Sequence, residues 1–452
     1  METDGLKGKK VLVVGLGVKT GASAVRFLAG CGCSISVMDG KPAEALQPAL
    51  RNLDGIAFEL YAGEMSAAPA LEADLLLLSP GVPRTVAPVV AAEEAGIEVI
   101  GDVELAWRTM PETFIGITGT DGKSTTTSMV GSILGVAGRG TVAGNIGIPV
   151  LSLVDTLPPG RVVCLELSSF QLESCPTFRP RVAAILNLNP DHLDRYDSLG
   201  SYLDAKLNIF RNQQDDDVAV LPLDDPAFQT MRAAVPAGVR VMRFSAMDES
   251  ADALLRDGFI LLQGRRILDV SEMYVRGNHN YRNALAAAAV CAGLGISDGE
   301  IRKGLTAYRS LPHRYEYVDT ISGVQFINDS KATTLSAVAS AIRDAQFGAA
   351  VLLGGKNKGL DFSALGVVLQ ESGVVPFYFG ADGKAVRDMT SVSGELYETV
   401  EPAVQAAFAQ QRERGEGQVI LCPGGTSYDE FRNFEERGDF FKNLVRSLDD
   451  GS

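Results

Sequence analysis

A chain of 452 residues is long enough for roughly two to four compact domains, each with its own core, so a small disulfide-stapled scaffold is excluded. Lysine and arginine total 41 against 56 aspartate and glutamate, a formal charge of −15, which argues against a broad nucleic-acid or anionic-membrane surface and leaves anionic ligands to be held locally. The 6 cysteines form no CxxC pair, so a zinc framework fits poorly and a reducing cytoplasm is the simplest compartment; neither a signal-peptide core nor a membrane-length apolar run is present.

Along the chain, Lys10-Val-Leu-Val-Val-Gly15 reads as a buried strand, residues 22–29 as a helix and Ser34-Ile-Ser-Val-Met-Asp39 as a second strand. That alternation predicts a Rossmann-like unit built on a parallel sheet. Asp74-Leu-Leu-Leu-Leu-Ser79 adds a strand, closed by Pro80-Gly81. A second nucleotide-type unit begins at Thr113-Phe-Ile-Gly-Ile-Thr118, and a third alternating segment begins near Pro312. The expected fold class is therefore α/β with three domains, 1–101, 102–310 and 311–452. The acidic run Asp215-Asp216-Asp217 is expected to form an exposed turn.

Gly119-Thr120-Asp121-Gly122-Lys123-Ser124-Thr125 follows an apolar strand and precedes a helical stretch. Backbone N–H groups in such a loop, with the helix N-terminus behind them, cradle phosphates; the lysine reaches the terminal phosphates and the Ser124 hydroxyl can ligate Mg²⁺. The standard pattern has glycine where this chain has Ile117, so the loop is a variant flanked by Gly116 and Gly119. An earlier loop, Gly15-Leu-Gly17-Val-Lys-Thr-Gly21, is one residue longer than a dinucleotide fingerprint, with Asp39 closing the next strand. It fits a nucleotide diphosphate in general and makes hydride transfer a weak reading; simple helix-to-strand packing is the bland alternative.

Glu166 falls in an apolar strand that reads as central, where a carboxylate is costly unless paired or metal-bound; a loop-end glutamate at a sheet edge is the alternative. If the next strand, ending at Leu186, runs parallel, Asn187, Asp191 and His192 lie with Glu166 and Ser124 beyond the strand ends, where a cation would sit. In a helix over 198–210, Lys206 is flanked at three- and four-residue spacing by Tyr202, Leu203, Ile209 and Phe210, inside the apolar stripe. Desolvation favours its neutral amine, which can capture carbon dioxide as a metal-ligating carbamate; a snorkelling surface lysine is the alternative. His192, His279 and His313 all sit in motif-like segments, and Asn280 opens an alanine-rich helix. In the last third, loops at 328–333, 354–358 and 423–427 follow strands and are rich in Gly, Ser, Thr and Lys. The segment 428–440 has helical amphipathic spacing.

Together these strings resemble the Mur ligase family from Gly15 to Gly438: Gly-Thr-Asp-Gly-Lys-Ser at 119–124, Leu-Glu-Leu-Ser-Ser-Phe-Gln-Leu-Glu at 165–173, Asp-His-Leu-Asp-Arg-Tyr at 191–196, Pro-His-Arg-Tyr-Glu at 312–316 and Asn-Asp-Ser-Lys-Ala-Thr at 328–333. The strings at 328–333 and 426–438 point to the branch that adds D-glutamate. The resemblance implies a Rossmann-like domain for a UDP moiety, a central P-loop-type ATPase and a Rossmann-like domain for the amino acid. It implies ATP-dependent amide formation on UDP-N-acetylmuramoyl-L-alanine through an acyl phosphate.

By position, the resemblance gives ATP to Gly119, Thr120, Asp121, Gly122, Lys123, Ser124 and Thr125, with Asn280, His313, Arg314 and Asp329 on the adenosine side. Ser124 and Glu166 would hold one Mg²⁺, and His192 with carbamylated Lys206 a second; Lys123, Glu166, His192 and Lys206 form the catalytic set. Gly17, Thr20, Asp39, Ser79, Asn145 and His192 fall to the UDP-linked substrate. Lys331, Thr333, Lys358, Ser427 and Phe434 fall to D-glutamate. His279 is left without a role, and Asp121 stands where the family often has asparagine. The resemblance further implies a cytoplasmic monomer acting on small molecules, with no nucleic-acid or membrane partner. The alternatives are a ligase adding another amino acid, or glutamate to a folate; a nicotinamide oxidoreductase, against which the long first loop counts; and a non-catalytic nucleotide-binding regulator, against which Glu166, His192 and Lys206 count.

Overall fold

The computed structural model describes residues 5–154, 156–189, 195–196 and 198–448. His192, with Asp191, lies outside the described residues. Five parallel strands build the first sheet: β1 (Lys10–Val14), β2 (Ser34–Asp39), β3 (Glu59–Ala62), β4 (Leu75–Leu78) and β5 (Val99–Gly101), in the order β3-β2-β1-β4-β5. Side chains alternate between the two faces. Val11, Val13, Val37 and Leu77 pack with the helix Thr20–Gly30, whereas Leu12, Val14, Met38 and Leu76 pack with the helix Ala87–Glu94. A sheet covered on both faces explains why its strands read as unbroken apolar runs. The order reverses between β1 and β4, which opens a crevice beyond their C-terminal ends, at Gly15 and Ser79.

The second sheet contains β6 (Thr113–Thr118), β7 (Gly140–Gly144), β8 (Val162–Glu166), β9 (Val182–Ile185), β10 (Val218–Pro222), β11 (Arg240–Ser245), β12 (Ala253–Arg256), β13 (Phe259–Leu262) and β14 (Arg265–Asp269). Its order is β14-β13-β12-β11-β10-β9-β6-β8-β7, parallel from β7 to β12 and antiparallel over the last two pairings. Two expectations are corrected here. β8 is second from the edge rather than central, and β6 separates it from β9; Glu166 and Asn187 are thus two strands apart, with the phosphate loop between them. The run 215–217 is not wholly exposed either: Asp217 is 1% exposed and bonds Arg179, while Asp216 pairs with Arg179 and Arg181. A charge run solvates only as far as its neighbours allow, and two arginines reach this one.

The third sheet contains β15 (Glu316–Ile321), β16 (Val324–Asn328), β17 (Ala350–Gly354), β18 (Val375–Phe379), β19 (Glu395–Tyr397) and β20 (Gly417–Gly424), in the order β15-β16-β20-β17-β18-β19. Only β15 and β16 pair antiparallel. The C-terminal ends of β16, β20 and β17 are therefore adjacent, which gathers the three polar loops read from the sequence. By contacts the chain forms two compact units, Met1–Glu272 with Arg282–Ala307, and Met273–Tyr281 with Tyr308–Ser452. Within the second unit, His279 Nδ1 and the Asn278 N–H both bond Asp344, and the Arg309 guanidinium lies 4.6 Å from the Tyr274 ring centre. His279, unassigned from sequence, is thus an anchor of that short segment. No helix of the described residues is long and apolar enough to cross a membrane.

Candidate active site

The glycine loop leaves β6, third from one edge of the second sheet, at Thr118 and enters the helix Lys123–Val136. Gly122 caps that helix at φ +79°, and a Cβ there would lie 2.3 Å from Asn283 Oδ1, so neither the backbone nor the space admits a side chain. Asn187, at the end of β9, clamps the loop: its Oδ1 accepts from the Thr120 and Asp121 N–H groups at 3.1 and 2.8 Å, and its Nδ2 donates to the Asp121 carbonyl. Asn189 Nδ2 donates to Asp121 Oδ2 at 2.9 Å. Lys123 folds over the loop, its ammonium donating to the Gly119 and Thr120 carbonyls at 2.9 and 2.6 Å. Ser124 is buried in the first turn and Thr125 is half-buried. The sequence reading missed Asn283, which touches Gly122 and accepts from Thr126 Oγ1 at 3.3 Å. Its signal was its spacing, three residues past Asn280.

Lys206 is 1% exposed, on the helix Leu199–Leu207 that Ser198 caps. Its ammonium donates to the Gly119 carbonyl at 2.7 Å and lies 4.3 Å from the Tyr202 ring centre. Two lysines of opposite origin, Lys123 and Lys206, thus converge on one carbonyl oxygen. Glu166, 2% exposed, ends β8; Asn145 Nδ2 donates to its Oε1 at 2.8 Å, and its Oε2 is buried without a hydrogen-bond partner. A buried carboxylate oxygen without a hydrogen-bond partner is a donor that a hard cation such as Mg²⁺ can use, and β8 brings it level with Ile117, just before the glycine loop. Among the described residues no three His, Cys, Asp or Glu side chains cluster as a metal site.

Gly17, Thr20, Asp39, Ser79 and Asn145 all line one cleft of about 620 Å³, within the range of small-molecule sites. The first glycine loop is tightly built. Asp39 Oδ2 accepts from the Leu16 N–H at 2.7 Å, and Ser79 Oγ donates to the Gly15 carbonyl at 2.6 Å. A Cβ on Gly15, at φ +95°, would lie 2.6 Å from Val82 Cγ2. Gln171 also lines the cleft, while its side chain closes the capping box with Ser168. Gln171 belongs to the 165–173 string, where the family resemblance gives it no role. Beside the cleft, Asp102 begins the helix Asp102–Thr109; burial pushes its carboxyl up to about 6, and its Oδ1 has no hydrogen-bond partner.

In the second unit the adenosine candidates His313, Arg314 and Asp329 gather around the end of β16, and Asn280 lies in the short segment 273–281. Asp329 accepts from the Tyr315 N–H at 3.1 Å, and burial raises its carboxyl to about 6. His313 sits in the left-handed region at φ +64°, 5% exposed, its Nδ1 bonded to Asn328 Nδ2 at 3.1 Å; burial holds its imidazole below the usual range. Arg314 is half-buried between it and Tyr315, and Asn280 is buried with its Nδ2 donating to the Arg276 carbonyl at 2.8 Å. Of the amino-acid candidates, the Lys331 ammonium lies 3.9 Å from the Phe434 ring centre, Ser427 is buried, Thr333 is half-buried and Lys358 is exposed.

A glycine loop of phosphate-binding type in a mostly parallel sheet, with two further mostly parallel α/β sheets in the chain, defines a multidomain nucleotide-binding α/β protein. Two family models match it, the Mur ligase middle domain over residues 117–291 and the Mur ligase MurD-like N-terminal domain over 9–101. The chain belongs to the Mur ligase family. It is 38% identical over 454 residues to the UDP-N-acetylmuramoylalanine--D-glutamate ligase of Geotalea uraniireducens, covering 99% of each chain. It is 40% identical over 456 residues to the protein of the same name from Acidobacterium capsulatum, covering 97% of this chain and 96% of that one. Among solved structures, the MurF ligase of Thermotoga maritima in complex with ADP aligns with a TM-score of 0.60 at 14% identity, over 98% of this chain and 99% of that one. At that identity the likeness speaks for the fold.

Proposed function

We propose that this chain joins D-glutamate to UDP-N-acetylmuramoyl-L-alanine with hydrolysis of ATP, in cytoplasmic peptidoglycan precursor synthesis. The observation that carries the reaction class is the glycine loop at 119–124 leaving β6, whose neighbour β8 ends on Glu166 with a buried carboxylate oxygen that has no hydrogen-bond partner. Full-length relatives bearing the ligase name carry the choice of substrates. The substrate carboxylate attacks the γ-phosphorus and ADP leaves; the amine of D-glutamate attacks the acyl phosphate, and the tetrahedral intermediate expels inorganic phosphate. No enzyme nucleophile is needed. The loop N–H groups and Lys123 neutralise and orient the transferred phosphoryl group, which is where most of the rate in such transfers arises.

Ser124 and Glu166 would hold Mg²⁺, and His192 with a carbamate on Lys206 a second ion; when bound, the metal withdraws charge from the phosphoryl oxygens. The carbamate is supported by the burial of Lys206 and by the meeting of its nitrogen with that of Lys123 at the Gly119 carbonyl. We assign the cleft at Gly17, Thr20, Asp39, Ser79 and Asn145 to the UDP-linked substrate. Asn280, His313, Arg314 and Asp329 are assigned to adenosine, and Lys331, Thr333, Lys358, Ser427 and Phe434 to D-glutamate. Domain boundaries fall near 101 and 310, and the enzyme acts as a monomer without nucleic acid. Phosphate release from ATP, measured with UDP-N-acetylmuramoyl-L-alanine and a panel of amino acids, is expected to require D-glutamate. Dependence on L-alanine, L-lysine, diaminopimelate or a folate would overturn the substrate assignment.

A further inference from the structure

Arg437 is the largest fully buried side chain among the described residues, 1% exposed, on the inward face of the helix Phe434–Ser447. A buried guanidinium is expensive unless each of its donors is met and its charge is answered. Its donors are met by two loops far apart in sequence. Nε donates to Ser330 Oγ at 3.0 Å and Nη2 to the Ser330 carbonyl at 2.9 Å, while Nη1 and Nη2 both reach the Gly425 carbonyl at 3.3 Å. The third loop closes over it: a Cβ on Gly355, at φ +84°, would lie 3.0 Å from Nη1. Every acceptor is neutral. Among the described residues no carboxylate stands within ion-pair distance, and Asp429 and Glu430 act on it only from further away. Burial lowers the group to about 10, so it keeps its charge at neutral pH.

A cation held by carbonyls beneath three strand-end loops leaves a positive field above them and a fixed geometry within them. Ser330 Oγ accepts from Arg437 and donates its own hydrogen bond to the Phe434 carbonyl at 2.8 Å, and the Phe434 ring seats the Lys331 ammonium. Through Gly425 the same guanidinium fixes the strand end that continues into Ser427. We infer that Arg437 is the positioning residue of the amino-acid site: it sets Lys331, Phe434 and Ser427 in register and biases the site toward an amino acid carrying a second carboxylate. The inference rests on the reading of those loops as the amino-acid site. Arginine suits the task because its planar fork spans both loops, which a lysine ammonium cannot do.

The test uses the full-length enzyme with Arg437→Met and Arg437→Lys, reading KM separately for D-glutamate, ATP and the UDP-linked substrate. Arg437→Met is expected to raise KM for D-glutamate by about tenfold or more while the other two KM values stay within about twofold, and Arg437→Lys is expected to fall between it and the parent. An unchanged KM for D-glutamate, or a parallel rise in all three constants, would overturn the role. If Arg437→Met does not fold, Ser330→Ala decides, since it cuts the relay to Phe434 and keeps the cation; an unaltered KM for D-glutamate there overturns the inference equally. A parent enzyme that releases no phosphate with D-glutamate defeats the proposed function instead, before any variant is compared.

Discussion

Lys206 is a residue whose surroundings decide its chemistry. It sits at 1% exposure with its nitrogen on the Gly119 carbonyl, beside the loop that Lys123 also covers. Lys206→Ala is expected to abolish ligase activity, and small carboxylates such as formate or acetate are expected to restore a measurable part in steady-state assays, because they would supply the oxygen donors that the proposed carbamate would supply. A fully active variant would remove Lys206 from the metal site. The sequence exposed this residue because helical spacing placed it among Tyr202, Leu203, Ile209 and Phe210. Arg437 escaped by the same logic reversed. It lies in a stretch alternating charges with aromatics, which reads as an ordinary amphipathic face, and its partners Ser330 and Gly425 come from strand ends that pattern alone does not bring together. Asn283 and Gln171 were missed for a related reason: each does visible structural duty, touching Gly122 or closing a capping box, besides facing a site.

At the scale of elements, the apolar runs that became β1, β4, β6 and β8 were legible because each is buried along nearly its whole length. The lateral order of strands was not, since it depends on pairings between distant segments, and β6 came to lie between β8 and β9. The helix Asp102–Thr109 carries a cost that sequence could not reveal. A carboxylate in the first turn usually gains from the helix dipole, yet burial wins here and raises Asp102 from its ordinary 3.8 to about 6. An acid whose folded pKa lies above its unfolded value favours the native state fully below about pH 4 and loses that contribution as pH rises through 6. Asp102→Asn keeps a neutral side chain at every pH. It is expected to stabilise the protein at pH 7 by up to about 3 kcal/mol, with the gain fading toward pH 4, as measured by urea unfolding across that range. A gain independent of pH would place the effect elsewhere.

For the whole molecule, the formal charge of −15 and the anionic substrates are reconciled by local devices: helix ends, glycine loops, a few placed lysines and one buried arginine. Three alternating segments were visible in the sequence, but the path of the chain between compact units was not, because the segment Met273–Tyr281 is too short to carry a pattern of its own. That path sets where the protein can be recombined with its relatives. His279 and Asn278 are committed to Asp344, and Tyr274 to Arg309, so a chimera joined only at Tyr308 separates each from the partner it was selected with. A graft of 308–452 from a relative is expected to melt several degrees lower than one that carries its own 273–281 as well, a difference readable by calorimetry. Equal melting temperatures would mean that the short segment adapts to any host. The unit of exchange in this enzyme is thus two pieces of chain that are distant in sequence, and an inheritable module here is defined by its contacts rather than by a single cut.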